Sequence, residues 1–214
     1  MTPYYADDLV TLFLGESIEV IPELAFDSVV TDPPFGIGWA RGGWADRPED
    51  YAGFMRSWLD LTATAKTHFV WQGLPNASRW HEWFPPDFRI FAACKGFTQY
   101  RPTPLQWSWD PVIFWGDIAG EPQAGRRDWN VQWLAPFGAG RPHLNHPSPR
   151  PLEQTTYIAS LTAGTILDPF AGSGTTLLAA KLLGRRAVGV EIEERWCEEA
   201  AGRLSQGSLG LETA

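Results

Sequence analysis

Short apolar runs alternate with amphipathic stretches along most of this chain. Residues 9–14 form an apolar run ending at Gly15 and read as a buried strand. Residues 17–24 follow as a short helix. Residues 28–31 form a second strand, stopped by Pro33 and Pro34, which cannot continue strand or helix. From 50 to 66, apolar residues recur at Tyr51, Phe54, Met55, Trp58, Leu59 and Leu61, a spacing that gathers them on one helical face. Residues 68–71 are the next strand, and Asn76 is positioned to cap a short helix running to Trp83. Residues 89–94 and 111–115 supply two more strands. The proline-containing segment between them is too short for a helical crossover, so the pair is expected to run antiparallel.

The alternation resumes at Pro151: a helix to about Leu161, a strand over 165–168, a helix over 175–183, a strand over 187–191 and a helix over 194–204. Residues 116–145, rich in Gly, Pro and Arg and without periodicity, read as a long loop, and the tail 205–214 as frayed. Strand and helix in turn imply an α/β fold: a doubly wound, mainly parallel sheet with helices on both faces. Ligands of such sheets bind beyond the carboxyl ends of the strands, where the chain order reverses. The 214 residues suit a single domain, 1–214.

Composition narrows the class. The two cysteines, Cys94 and Cys197, are far apart and lack ligand spacing, so neither a disulfide framework nor a zinc site is indicated. No apolar stretch approaches membrane-spanning length and no targeting pattern opens the chain, which gives the expectation of a cytoplasmic protein without a membrane partner. The net charge of −8 argues against phosphate binding until its distribution is read. Residues 1–36 hold seven acids and no Lys or Arg, whereas the stretch between Phe35 and Pro151 holds twelve basic residues and eleven of the twelve tryptophans. A basic, aromatic middle between acidic ends suits a segment facing nucleic acid; a solvated surface over a Trp-rich core has the same composition.

Two segments carry chemistry. Asp168-Pro169-Phe170-Ala171-Gly172-Ser173-Gly174-Thr175 lies between a strand and a helix, where glycines let backbone approach a ligand. No Lys follows Gly174, which excludes a phosphate-cradling Gly-Lys-Ser/Thr loop. Glu191 closes the next strand, where a carboxylate can accept both ribose hydroxyls of a nucleoside. In the other segment, Asp32-Pro33-Pro34-Phe35, the prolines fix a carboxylate and an aromatic ring at a strand end. The Asp32 carboxylate and a proline carbonyl are acceptors for the two N–H bonds of an amino group, and Phe35 can stack on a base. An exocyclic amine is a weak nucleophile because its lone pair is delocalised into the ring. Holding both hydrogens favours a pyramidal nitrogen aimed at a methyl donor, so catalysis there is orientation and electrostatics. Taken alone, each segment is also compatible with an ordinary tight turn.

Together, and in this order, Asp32-Pro33-Pro34-Phe35, His146-Pro147-Ser148-Pro149-Arg150-Pro151, Phe170-Ala171-Gly172-Ser173-Gly174 and Glu191 resemble the beta-class DNA amino-methyltransferases, in which the catalytic motif precedes the cofactor motif. The resemblance implies a Rossmann-like class I methyltransferase sheet of seven strands, one antiparallel, and S-adenosylmethionine as cofactor. It implies a catalytic corner of Asp32, Pro33, Pro34 and Phe35. It places Asp168, Phe170, Gly172, Gly174, Thr175 and Glu191 in the cofactor pocket, with Glu16 near the adenine and Ser148 and Arg150 near the methionine carboxylate. Phe35 stands where the family usually has Tyr, Arg150 where it has Lys, and Glu16 where Asp is commoner.

The expected activity is methylation of adenine N6 in double-stranded DNA, since Asp rather than Ser before Pro-Pro favours adenine in the family, with cytosine N4 as the alternative. The setting that follows is site-specific modification, of the restriction-modification or phage-type orphan kind. Methylation of RNA or of protein glutamine, and a non-catalytic nucleic-acid-binding protein on the same scaffold, share the motifs. The loops 37–49 and 116–145, with Arg41, Arg47, Arg126, Arg127 and Arg141, are the expected DNA-facing segments. They leave little room for a recognition domain, which implies a short target site or a homodimer whose second copy adds DNA contacts. His143 and His146 are spaced like metal ligands but lack partner acids, so no metal is expected.

Overall fold

Neighbouring positions on the central strands are buried alike: Val29 with Val30, Phe69 with Val70, Val112 with Ile113, Ile166 with Leu167. Successive strand side chains point to opposite faces, so such runs need cover on both sides of the sheet. The computed structural model, which describes residues 1–36, 51–95, 104, 107–119 and 150–206, supplies that cover. Its strands are β1 (Tyr5–Ala6), β2 (Val10–Leu14), β3 (Ser28–Thr31), β4 (Thr67–Trp71), β5 (Arg89–Cys94), β6 (Trp109–Gly116), β7 (Ile166–Asp168) and β8 (Ala187–Glu191). Its helices are α1 (Ser17–Val20), α2 (Tyr51–Leu61), α3 (Leu152–Ser160), α4 (Thr175–Leu182) and α5 (Glu194–Gln206), with 3-10 segments at Ile21–Glu23 and Leu74–Glu82.

On one face Val30, Phe69, Val112 and Ile166 pack with Ile158 of α3, Leu177 of α4 and Ala200 and Leu204 of α5. On the other, Val29, Val70, Ile113 and Leu167 pack with Met55 and Trp58 of α2 and Trp80. The strand order is β1-β2-β8-β7-β3-β4-β6-β5. From β3 the chain steps outward to β4, and from β7 it steps the opposite way to β8, so the order reverses between β7 and β3. Their carboxyl ends carry the two motif segments, and this is where an open α/β sheet binds its ligand.

The seven-stranded mixed sheet is present, with β6 antiparallel to both β4 and β5 as the short connection requires. An eighth strand, β1, joins at the edge, antiparallel to β2. Two residues are too few to leave an alternation in sequence. Asp7 holds the turn that follows, its carboxylate accepting the N–H groups of Leu9 and Val10 at 2.9 and 2.8 Å and an ammonium N–H of Lys181 at 2.6 Å.

Three local expectations change. Asn76 is not a helix cap: the 3-10 segment starts after Gly73, and the Asn76 side chain points to another element. The strand expected from Pro111 starts at Trp109, which puts Asp110 on it. Ser205 and Gln206 belong to α5 instead of a frayed tail. The loop 37–49 and nearly all of 116–145 lie outside the described residues. No described helix is long and apolar enough to cross a membrane.

Candidate active site

Thr31, the last residue of β3, donates its hydroxyl to Oδ1 of Asp168, the last residue of β7, at 2.7 Å. This bond joins the strand that leads into Asp32-Pro33-Pro34-Phe35 to the strand that leads into the glycine turn. Asp168 is almost wholly buried and also accepts the N–H of Phe170 at 3.1 Å. Burial raises its pKa to about 6 against these bonds, and the nearby Asp32 charge pushes the same way.

Beyond Asp168 the backbone turns through Gly172 and Gly174 at φ of +49° and +76°. At Gly174 an added Cβ would lie 2.8 Å from the Ala200 Cβ, so both the conformation and the space demand glycine. Glu191 lies beside the turn: its Oε2 accepts the Gly172 N–H and its Oε1 the Glu193 N–H, each at 2.8 Å. Burial raises the Glu191 pKa; these N–H bonds oppose the shift, while the Glu193 and Asp168 charges add to it. The segment preceding α1 closes the same region, with the Gly15 N–H on the Glu191 carbonyl at 2.9 Å and the Ser17 hydroxyl on the Pro169 carbonyl. Glu16 stands exposed between them.

Two expected pocket residues have other partners. Thr175 is buried, and its hydroxyl accepts an N–H of Arg203 at 3.1 Å; the same guanidinium nitrogen donates to the Ser173 carbonyl and hydroxyl. The ring of Phe170 packs on α2, 5.4 Å from Phe54 and 5.6 Å edge-on from Trp58.

The corner is braced from three sides. The Asn76 amide donates to the Phe35 carbonyl. Gly73, buried behind Phe35, packs closely there: an added Cβ would lie 3.3 Å from the Phe35 Cβ, a tight contact that the ring would have to yield to slightly. Gly36, at φ +65°, lies against Tyr51, whose hydroxyl donates to the Gln72 side-chain carbonyl at 3.2 Å.

The remaining contact falls on the carboxylate. Arg150 meets Asp32 in a two-pronged pair, Nε to Oδ2 at 2.6 Å and Nη2 to Oδ1 at 2.7 Å. Its Nη1 donates to Asp110 Oδ2 at 2.6 Å, and Lys95 reaches the same oxygen at 2.7 Å. The guanidinium carbon lies 5.5 Å from the Phe35 ring centre and 5.7 Å from that of Trp71. Burial works against the Arg150 charge, but Asp32 and Asp110 more than offset it and raise its pKa. At Asp110 burial pushes upward, and Arg150 and Lys95 reverse this to a net lowering.

Residues 103–202 match the family model described as DNA methylase. Over 98% of its length the chain is 28% identical to the type II methyltransferase M.ScaI of Streptomyces caespitosus, spanning 86% of that protein. These matches support a beta-class DNA amino-methyltransferase. A shorter match, 39% identical, links 29% of this chain to 24% of the type II methyltransferase M2.LlaDCHI of Lactococcus lactis subsp. cremoris. Two solved structures share its fold: the PvuII DNA methyltransferase, titled cytosine-N4-specific, has a TM-score of 0.68 at 15% identity, covering 94% of this chain and 88% of that one. The complex of M1.HpyAVI with S-adenosylmethionine has a TM-score of 0.65 at 18% identity, covering 91% and 100%. Together the matches support S-adenosylmethionine-dependent methylation of an amino group of a DNA base.

Sequence reasoning brought together Asp32, Phe35, Asp168, Gly172, Gly174 and Glu191 at one end of the sheet. It missed Asn76, Asp110 and Lys95 as site residues, and the bond from Thr31 to Asp168. Asp110 carried a signal: like Asp32 it directly precedes a proline at the boundary of an apolar strand. Ser148, His143 and His146, with Arg41, Arg47, Arg126, Arg127 and Arg141, lie outside the described residues.

Proposed function

We propose that the methyl acceptor is N6 of adenine in double-stranded DNA and that Asp32, Pro33, Pro34 and Phe35 act on it. The observation that carries this reading is the Thr31–Asp168 bond, which keeps an amine-accepting corner beside the glycine turn at the sheet's switch point. The residues around that turn fit the cofactor. The left-handed glycines let backbone approach closely, and each Glu191 oxygen, with one N–H already bound, has a lone pair left for a ribose hydroxyl. Glu191 would hold the ribose, Phe170, Gly172 and Gly174 the nucleoside edge, and Glu16 the adenine. Asp168 and Thr175 would act from behind as braces, and Ser148 toward the methionine end. Bound there, S-adenosylmethionine supplies an electrophilic methyl group.

The chain's own residues prepare the amine. The target base leaves the helix at a cost of a few kcal/mol, and Phe35 takes one ring face. Asp32 and the Pro33 carbonyl accept the two amino hydrogens, turning the nitrogen lone pair away from the ring. Asp32 then stabilises the positive charge that grows on nitrogen as the N–C bond forms. One of the held hydrogens leaves as a proton through the acceptor that binds it. The loops 37–49 and 116–145 are the proposed DNA-facing segments; their small size supports a short recognition site, or a homodimer in which the second copy adds contacts.

Cytosine N4 is the second reading, favoured by the shared fold with a structure titled cytosine-N4-specific. Mapping modified bases in the DNA of a host that expresses the chain separates the two. N6-methyladenine at one short motif is the expected result, N4-methylcytosine selects the second reading, and unmodified DNA contradicts both.

A further inference from the structure

Asp32 has two oxygens and four lone-pair positions. The Arg150 fork takes one position on each oxygen, at 2.6 and 2.7 Å, leaving one on each for an incoming amine. A bidentate pair also fixes the plane of the carboxylate, which a single ammonium contact cannot do. Arg150 is itself fixed from the far side, where Asp110 on β6 takes its Nη1 and Lys95, just beyond β5, takes the same Asp110 oxygen. The four groups form one chain, Lys95–Asp110–Arg150–Asp32, running from the antiparallel end of the sheet to the corner on β3. Its members come from three separate parts of the sequence, and the ion pairs are largely shielded from water.

We propose that Arg150 is a positioning residue for methyl transfer, holding Asp32 turned so that its free lone pairs face the base amine, with Asp110 and Lys95 as its anchor. This rests on the catalytic role proposed for Asp32, and it moves Arg150 from the methionine carboxylate, where the resemblance puts it, to the acceptor side.

Charge and shape contribute separately. Arg150, ahead of α3, lies between Asp32 and Asp110 of β6, with Lys95 behind Asp110. Without Arg150, Asp32 loses the cation that the structure pairs with it. With Lys at 150 the cation remains and the fork is lost. Misorientation of a reacting group by about 1 Å costs roughly 10²-fold in rate.

The test compares wild type with Arg150→Met and Arg150→Lys, following label transfer to duplex DNA and cofactor binding, with a crystal structure of Arg150→Met to show the plane of the Asp32 carboxylate. For Arg150→Met the expected result is a kcat lowered by roughly 10²-fold at unchanged cofactor affinity, with the Asp32 carboxylate turned from its wild-type plane. Arg150→Lys should keep kcat low, because the charge returns without the fork. A wild-type kcat in Arg150→Met would overturn the proposal. So would a loss of cofactor affinity matching the loss of kcat, which would return Arg150 to the methionine end. The crystal structure stands apart from the reaction: an unmoved Asp32 carboxylate in Arg150→Met overturns the proposal. If wild type labels no DNA, the methyl-transfer reading fails while that structure still decides how Arg150 acts on Asp32.

Discussion

Thr31 and Asp168 meet at 2.7 Å across the strand pair where the sheet reverses direction, each the last residue of its strand. A hydroxyl on a buried carboxylate is a strong contact for so small a side chain, and here it sets the distance between the corner and the glycine turn. Replacing Thr31 with Val keeps the shape and removes the donor. The expected cost is about 1–3 kcal/mol of stability, the range for leaving a buried acceptor without its partner, accompanied by a weaker cofactor complex. Urea unfolding and cofactor titration check both.

Asp168 also predicts a pH dependence. Its folded pKa, raised to about 6, exceeds its ordinary value of 3.8, so between these limits the folded state binds more proton than the unfolded one. This carboxyl's contribution to stability is therefore greatest at low pH and declines as pH rises from about 4 through about 6. Asp168→Asn removes the titration. Relative to wild type, the variant should gain stability between pH 4 and pH 7, measured by urea unfolding at both; a parallel pH dependence in the two proteins would contradict the assignment.

The fold could be read from the chain because its central strands are continuous apolar runs, and only a sheet covered on both faces buries them. The corner and the glycine turn were legible because prolines and glycines impose local geometry. Long-range ion pairing was not. Arg150 and Asp32 lie 118 residues apart, and no local pattern reports which carboxylate an arginine will find. Asn76 looked like a cap because Asn commonly serves as one, but tertiary packing gave it the Phe35 carbonyl instead. β1 was too short to show a period.

Gly174 combines a left-handed backbone with a tight neighbour. Gly174→Ala should lose about 1–2 kcal/mol from the backbone conformation alone, with more from the 2.8 Å approach to Ala200. Adding Ala200→Gly should restore only the second part. Thermal unfolding of the single and double variants separates the two contributions, and full recovery in the double variant would contradict the role given to φ.

Arg185 stands outside the site and serves as a control. Its Nη1 donates to the Ala159 carbonyl at 2.6 Å and to the Thr162 carbonyl and hydroxyl at 2.8 Å, closing the carboxyl end of α3, while its Nη2 donates to the Gly164 carbonyl. Arg185→Met should lower stability by about 1–3 kcal/mol and leave kcat per folded molecule unchanged. A fall in kcat without loss of stability would contradict this.

The most direct measurement is transfer of label from S-adenosylmethionine to duplex DNA by wild type and by Asp32→Asn, with cofactor affinity measured on the same samples. Asn keeps the size of Asp32 but lacks the negative charge that stabilises the growing charge on nitrogen. Wild type should give labelled amino groups in DNA, and Asp32→Asn should lose at least roughly 10²-fold in kcat at unchanged cofactor affinity. Full transfer by Asp32→Asn would contradict the catalytic role of the Asp32 carboxylate.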